Sequence, residues 1–155
     1  MTKKEFWNKL DSLVENFDTC DADISMKSME IVNLLKRAYD ANLPIIIACR
    51  YDSPHAGTAH HIYVPSDPLG LGRIYLFYTT KKKAKEVAAP FEYGEASIRP
   101  ILDNLFHRKE TAGIAFNSYI DGCVIMKQFL DWGFAGENIE KQKDFRESMP
   151  GGWNG

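Results

Sequence analysis

Apolar residues recur through the first forty positions with the period of a helix. Phe6, Leu10, Leu13, Val14 and Phe17 follow one another at intervals of four, three, one and three, which gathers them on one face of a helix over residues 3–17. Asp18, Asp21 and Asp23 make a polar break, and Asp23 or Ser25 can cap a second helix running to about Ala41. Met29, Val32, Leu35 and Tyr39 line its apolar side, widened by Ile31, Leu34 and Ala38. Asn42 suits the left-handed residue that stops a helix, and Pro44 cannot continue one.

From there the period changes. LPIIIACR carries three consecutive isoleucines, as expected of a strand buried on both faces. HHIYVP predicts a second strand, SDPLGLG a turn and RIYLFYT a third strand, together a hairpin with a long connection. Alternation puts Ile74, Leu76 and Tyr78 on one face of the third strand and Tyr75 and Phe77 on the other. A short helix is expected over Lys81 to Ala89, interrupted by Pro90 to Gly94. Ser97 then caps a helix reaching about Arg108, with Ile98, Ile101, Leu102, Leu105 and Phe106 as its core face and Pro100 in its first turn. His107 falls at its C-terminal end, where a cation suits the dipole. Gly113 releases a strand over Ile114 to Phe116, Asp121-Gly122 marks a turn, Cys123 to Met126 forms a short strand, and Lys127 to Trp132 begins a helix. The tail over 137–155 is polar and Gly-rich, and is expected to be loosely held apart from what Trp132, Phe134 or Trp153 anchors.

This order predicts an α+β fold in a single mixed-sheet domain over residues 1–155. A helical pair over 3–41 precedes an α/β core over 43–132, with helices packed on the sheet. Composition agrees: 155 residues, 45% hydrophobic and 26% charged, can bury a core without disulfides or a metal. Nineteen basic against 21 acidic side chains leave a net charge of -2, which points away from a nucleic-acid partner. The only basic run, Lys81-Lys82-Lys83 with Lys85, reads as a solvated helix face. The N-terminus lacks the apolar stretch of a signal peptide, and Leu43 to Cys49 is too short to span a bilayer. The expectation is a cytoplasmic protein with no membrane partner. Three scattered cysteines without a CxxC pair fit reduced thiols.

One stretch gathers potential chemistry. CRYDSPHAGTAHH, residues 49–61, holds three of the four histidines beside a thiol, a carboxylate and two hydroxyls. A zinc site needs three or four converging ligands, whereas His60 and His61, adjacent on an expected strand, point to opposite faces. No metal or other cofactor is therefore expected. Ser53, Asp52 and His55 lack the GxSxG elbow that would mark a hydrolase nucleophile. Gly70 and Gly72 precede a strand instead of opening a helix, the reverse of a nucleotide-binding loop.

Two readings of the loop remain. In the first, Arg50, Tyr51, Asp52, His55 and His61 are recognition residues for a protein partner. In the second, Cys49, His55 and His60 or His61 serve a small metal-dependent or Cys/His hydrolase. A nucleic-acid module built on Lys81, Lys82, Lys83 and Lys85 is a third possibility.

RIYLFYTTKKKA paired with GIAFNSYIDGCVIM resembles the N-terminal domain of the SseB family, named for enhanced serine sensitivity. Its members have a strand ending in Phe-Thr-Ser or a near variant, then a short helix. Later, a helix leads into an apolar strand ending in Asn-Pro. Phe77-Tyr78-Thr79-Thr80 with Lys81 to Ala89 is similar to the first element, and Ile101 to Arg108 with Gly113 to Asn117 to the second. Tyr78 interrupts the first motif, and Ser118 stands in place of the proline. The resemblance, over about Leu43 to Trp132, implies a small bacterial α/β domain without an established catalytic set, some of whose relatives occur in toxin-immunity or secretion settings. What it implies for this chain is a non-catalytic cytoplasmic interaction or accessory protein.

Overall fold

Helical and extended segments alternate much as the periodicity dictates. The computed structural model describes residues 1–18, 22–49, 73–87, 92–118 and 122–134. Among them, α1 spans Lys3–Glu15 and α2 Ile24–Asp40, β1 spans Pro44–Cys49 and β2 Arg73–Tyr78. The short α3 (Lys81–Val87) leads to β3 (Glu92–Ser97) and α4 (Ile98–His107). The last elements are β4 (Thr111–Phe116), β5 (Cys123–Met126) and α5 (Lys127–Gly133).

The five strands form one mixed sheet in the order β3-β1-β2-β4-β5. Only β2 and β4 are parallel neighbours; the other three pairings are antiparallel. The fold is α+β, with a mixed sheet, two N-terminal helices and helices packed on the sheet.

Alternation along β2 divides the core as expected. Tyr75 and Phe77 join Ile45, Ile47, Ile114, Phe116 and Ile125 beneath α1, α2, α4 and α5. Ile74, Leu76 and Tyr78 join Ile46, Ala115 and Ala84 of α3 on the opposite face. Ile45, Ile46 and Ile47 are all fully buried, which accounts for the unbroken apolar run in β1. Asn42 ends α2 with φ 51°, the left-handed stop its side chain tolerates.

Several details differ from the sequence expectation. Residues 92–97, of which 92–94 were expected to belong to the break over Pro90 to Gly94, form β3 and pair with β1 along its whole length, from Pro44↔Ser97 to Cys49↔Glu92. The segment EYGEAS carries little apolar signal because it is an outer strand of the described sheet: Ala96 faces the core, whereas Tyr93 is exposed. β4 begins at Thr111 rather than Ile114, with Ala112 as an extra residue in its register against β2. Ser97 precedes α4 as expected, but its hydroxyl donates to Asn42 Oδ1 instead of capping the helix.

Phe134 is the anchor at the end of α5. It is fully buried, with its ring 5.6 Å from Tyr39 and 5.2 Å from Phe106, whereas Trp132 is exposed. The strand and hairpin expected over residues 60–79 fall outside the described residues except for β2 itself. The tail over 137–155 falls outside them entirely.

Candidate functional site

The parallel strands β2 and β4 end side by side. Thr80 follows β2 and starts α3: its hydroxyl accepts from Lys83 N at 3.1 Å and its carbonyl from Ala84 N at 3.1 Å. Asn117 follows β4 with φ 69°, a left-handed conformation that asparagine tolerates better than most residues. Its backbone N–H donates to Phe77 O at 2.8 Å, carrying the ladder one step beyond the strand.

Side chains then tie four elements together. Thr79 N donates to Asn117 Oδ1 at 3.0 Å, and Asn117 Nδ2 donates to Thr79 Oγ1 at 3.1 Å. The Thr79 hydroxyl, on a fully buried residue, donates in turn to Asp11 Oδ1 on α1 at 2.5 Å. Lys83 of α3 reaches back to Asp11 at 2.7 Å and also to Glu15. Beside this chain lies a depression of about 450 Å³, lined among others by Glu15, Phe17, Lys83, Phe116, Asn117 and Cys123. Its turn is tight: a Cβ on Gly122 would sit 2.2 Å from Ser118 O and 2.6 Å from Phe116 O, so only glycine fits.

The electrostatics of the crevice favour fixed charge. Burial pushes the Asp11 carboxyl up, but hydrogen bonds from Lys83 and Thr79 and the Lys83 charge outweigh it, and the group lies below the ordinary carboxylate range. Burial alone would lower Lys83, yet Asp11 and Glu15 raise it above the usual lysine value. Both shifts lead away from neutrality, so the pair stays ionised and is poorly suited to proton transfer near pH 7. The Cys123 thiol is buried, which pushes its pKa up to about 12 and keeps it protonated. Among the described residues, no group of three or more His, Cys, Asp and Glu side chains is arranged to hold a metal.

The recognition residues expected from the sequence, Arg50, Tyr51, Asp52, His55 and His61, lie outside the described residues, as do Ser53 and His60. Cys49 closes β1, its side chain also outside them. Their brackets are informative. β1 and β2 are antiparallel, so Cys49 and Arg73 lie at the end of the sheet opposite Thr79 and Asn117. Six residues of β2 separate those ends by about 20 Å. The described residues that bracket positions 50–72 therefore lie toward the other end of the sheet from the crevice.

Two lysines of the run meet this chain's own carboxylates. Lys81 lies 3.4 Å from Glu95 and over the Trp7 ring, and Lys83 binds Asp11 and Glu15. Among the described residues, no helix is long and apolar enough to cross a membrane.

Asp11 and Glu15 were not singled out by the sequence; Lys83 was read as part of a solvated run or a nucleic-acid module, and Thr79 and Asn117 only as members of the segments that carry the resemblance. Asp11 and Glu15 have the i,i+4 spacing of a shared helix face, but the lysine between them comes from a distant helix. Comparisons with protein-family models, curated proteins and solved structures gave no match.

Proposed function

We propose that this chain is a non-catalytic interaction or accessory protein of the bacterial cytoplasm, similar in organisation to the SseB N-terminal domain, that binds another protein. One observation carries the reading. Lys83 at the mouth of the strand-end crevice is held in ion pairs with Asp11 and Glu15, and the crevice's thiol is held protonated. A reaction centre needs a group poised to gain or lose a proton or to attack. This crevice offers instead fixed charge, an amide and aromatic surface, the materials of recognition.

The two quoted segments form neighbouring parallel strands, and Thr79 and Asn117 at their ends hydrogen-bond each other. Tyr51 and His55 in the 50–61 segment are the residues assigned to the partner, with Arg50, Asp52 and His61 beside them. Connections between the elements of a rigid scaffold commonly carry such contacts.

The test pairs binding with stability. Replacing both Tyr51 and His55 by alanine is expected to reduce recovery of the partner in pull-downs by about tenfold. The melting temperature should stay within about 2 °C of wild type. Undiminished recovery removes the loop from the reading. Ester hydrolysis that disappears with His55→Ala would replace binding by catalysis.

A further inference from the structure

A second surface has a defined shape and unspent charge. Helices α1 and α2 run antiparallel. At one end Lys27 Nζ donates to Asn16 O at 3.1 Å; at the other Trp7 Nε1 donates to Pro44 O, just beyond α2, at 3.0 Å. Between their outer faces lies a groove of about 390 Å³. From α1 it is lined by Lys9, Ser12 and Leu13, spaced i, i+3 and i+4. From α2 it is lined by Glu30, Asn33, Leu34 and Arg37, spaced i, i+3, i+4 and i+7. Those spacings are single stripes along each helix, so the groove follows the helix axes for two turns, about 11 Å.

Leu13 and Leu34 make an apolar floor. Antiparallel packing sets Lys9 toward the Arg37 end and Leu13 toward Glu30. The cations therefore gather at one end and the carboxylate at the other. Among the described residues, the side chains of Lys9, Glu30 and Arg37 have no ion-pair or hydrogen-bond partner. This differs from the crevice, where the charges are consumed internally.

We propose that this groove seats an amphipathic helix of a partner protein. The helix presents acidic residues in its first turn to Lys9 and Arg37, an apolar side chain to Leu13 and Leu34, and a basic residue about two turns later to Glu30. Two helical stripes that flank a shallow channel, each putting one leucine into its floor among polar side chains, are the receptor half of helix-in-groove recognition. The charge order fixes direction. An acidic first turn and a basic last turn are what a helix's own dipole favours, so the incoming helix runs antiparallel to α2. The groove is lined by none of the residues of the loop assignment, so its test is independent of that assignment.

The experiment uses the full chain and two fluorescein-labelled helical peptides of about 14 residues, four turns. One carries glutamates in its first turn, leucines at the centre and lysines in its last turn; the other has the glutamates and lysines exchanged. Anisotropy titrations should give the first peptide at least about tenfold higher affinity. Lys9→Glu with Arg37→Glu should abolish that preference. Asn33→Trp, at an exposed position that leaves both cations intact, should fill the channel and cut affinity about tenfold. Circular dichroism checks that both variants keep wild-type helix content. Equal affinity for the two peptides, no binding at millimolar concentration, or undiminished binding to Asn33→Trp would each overturn the proposal.

Discussion

Asn117 and Thr79, 38 residues apart in sequence, hydrogen-bond each other through both amide atoms of the asparagine across the ends of two parallel strands. The contact locks the turn after β4 to the turn after β2 and orients the Thr79 hydroxyl toward Asp11. Glycine at position 117 would keep the left-handed backbone but lose the amide; alanine would lose both. Asn117→Ala should cost about 2–3 kcal/mol and Asn117→Gly about 1 kcal/mol less. Urea denaturation midpoints check the order, and equal losses would mean that the backbone conformation contributes nothing.

The Asp11–Lys83 pair predicts stability lost at both extremes of pH. Asp11 is held below its ordinary value when folded. Its contribution is full above about pH 4 and lost as pH falls through the folded value. Lys83 is held above its ordinary value. Its contribution is full below about pH 10 and lost as pH rises through the folded value. Lys83→Met should cost about 1 kcal/mol at pH 7 and flatten both limbs. Some acid sensitivity should persist, because hydrogen bonds from Lys3 and Lys81 hold Glu95 low as well. Melting temperatures across the pH range test this; a variant profile parallel to wild type would contradict it.

Two glycines should respond oppositely to alanine. At Gly113 a Cβ would meet Ile125 O at 2.2 Å, so Gly113→Ala must push β4 and β5 apart, at about 2–3 kcal/mol. At Gly94 nothing lies within 4 Å, and alanine at that position in β3 should be neutral or stabilising by about 0.5 kcal/mol. Thermal denaturation of the two variants reads the contrast directly.

Cys123 should resist alkylation. Its thiol is buried and protonated at neutral pH. Peptide mapping after brief treatment with N-ethylmaleimide at about pH 7.5 should find Cys123 unmodified in native protein and fully modified in urea. Rapid native labelling would return a nucleophile to the crevice.

Much of the fold was legible in local pattern. The period of α2 marked its buried face, and the alternation of Ile74, Leu76 and Tyr78 against Tyr75 and Phe77 divided the core correctly. β3 was missed because Glu92 to Ser97 has too little apolar alternation: one side chain enters the core and Gly94 has none. The crevice was invisible for another reason. Lys83 lies 72 residues from Asp11, and neither residue differs locally from an ordinary solvated charge on a helix. Histidines are conspicuous in sequence, whereas a threonine–asparagine contact becomes apparent only when strand pairing is known.

Whether this chain binds its partner without chemistry is read from the partner's own mass. After capture by this chain and incubation at equimolar and at substoichiometric ratios, intact-mass spectrometry should find the partner unaltered in both samples. Size exclusion should show a complex that forms only in proportion to the chain supplied. A partner cleaved or modified in the substoichiometric sample would mean turnover, and would contradict the non-catalytic reading.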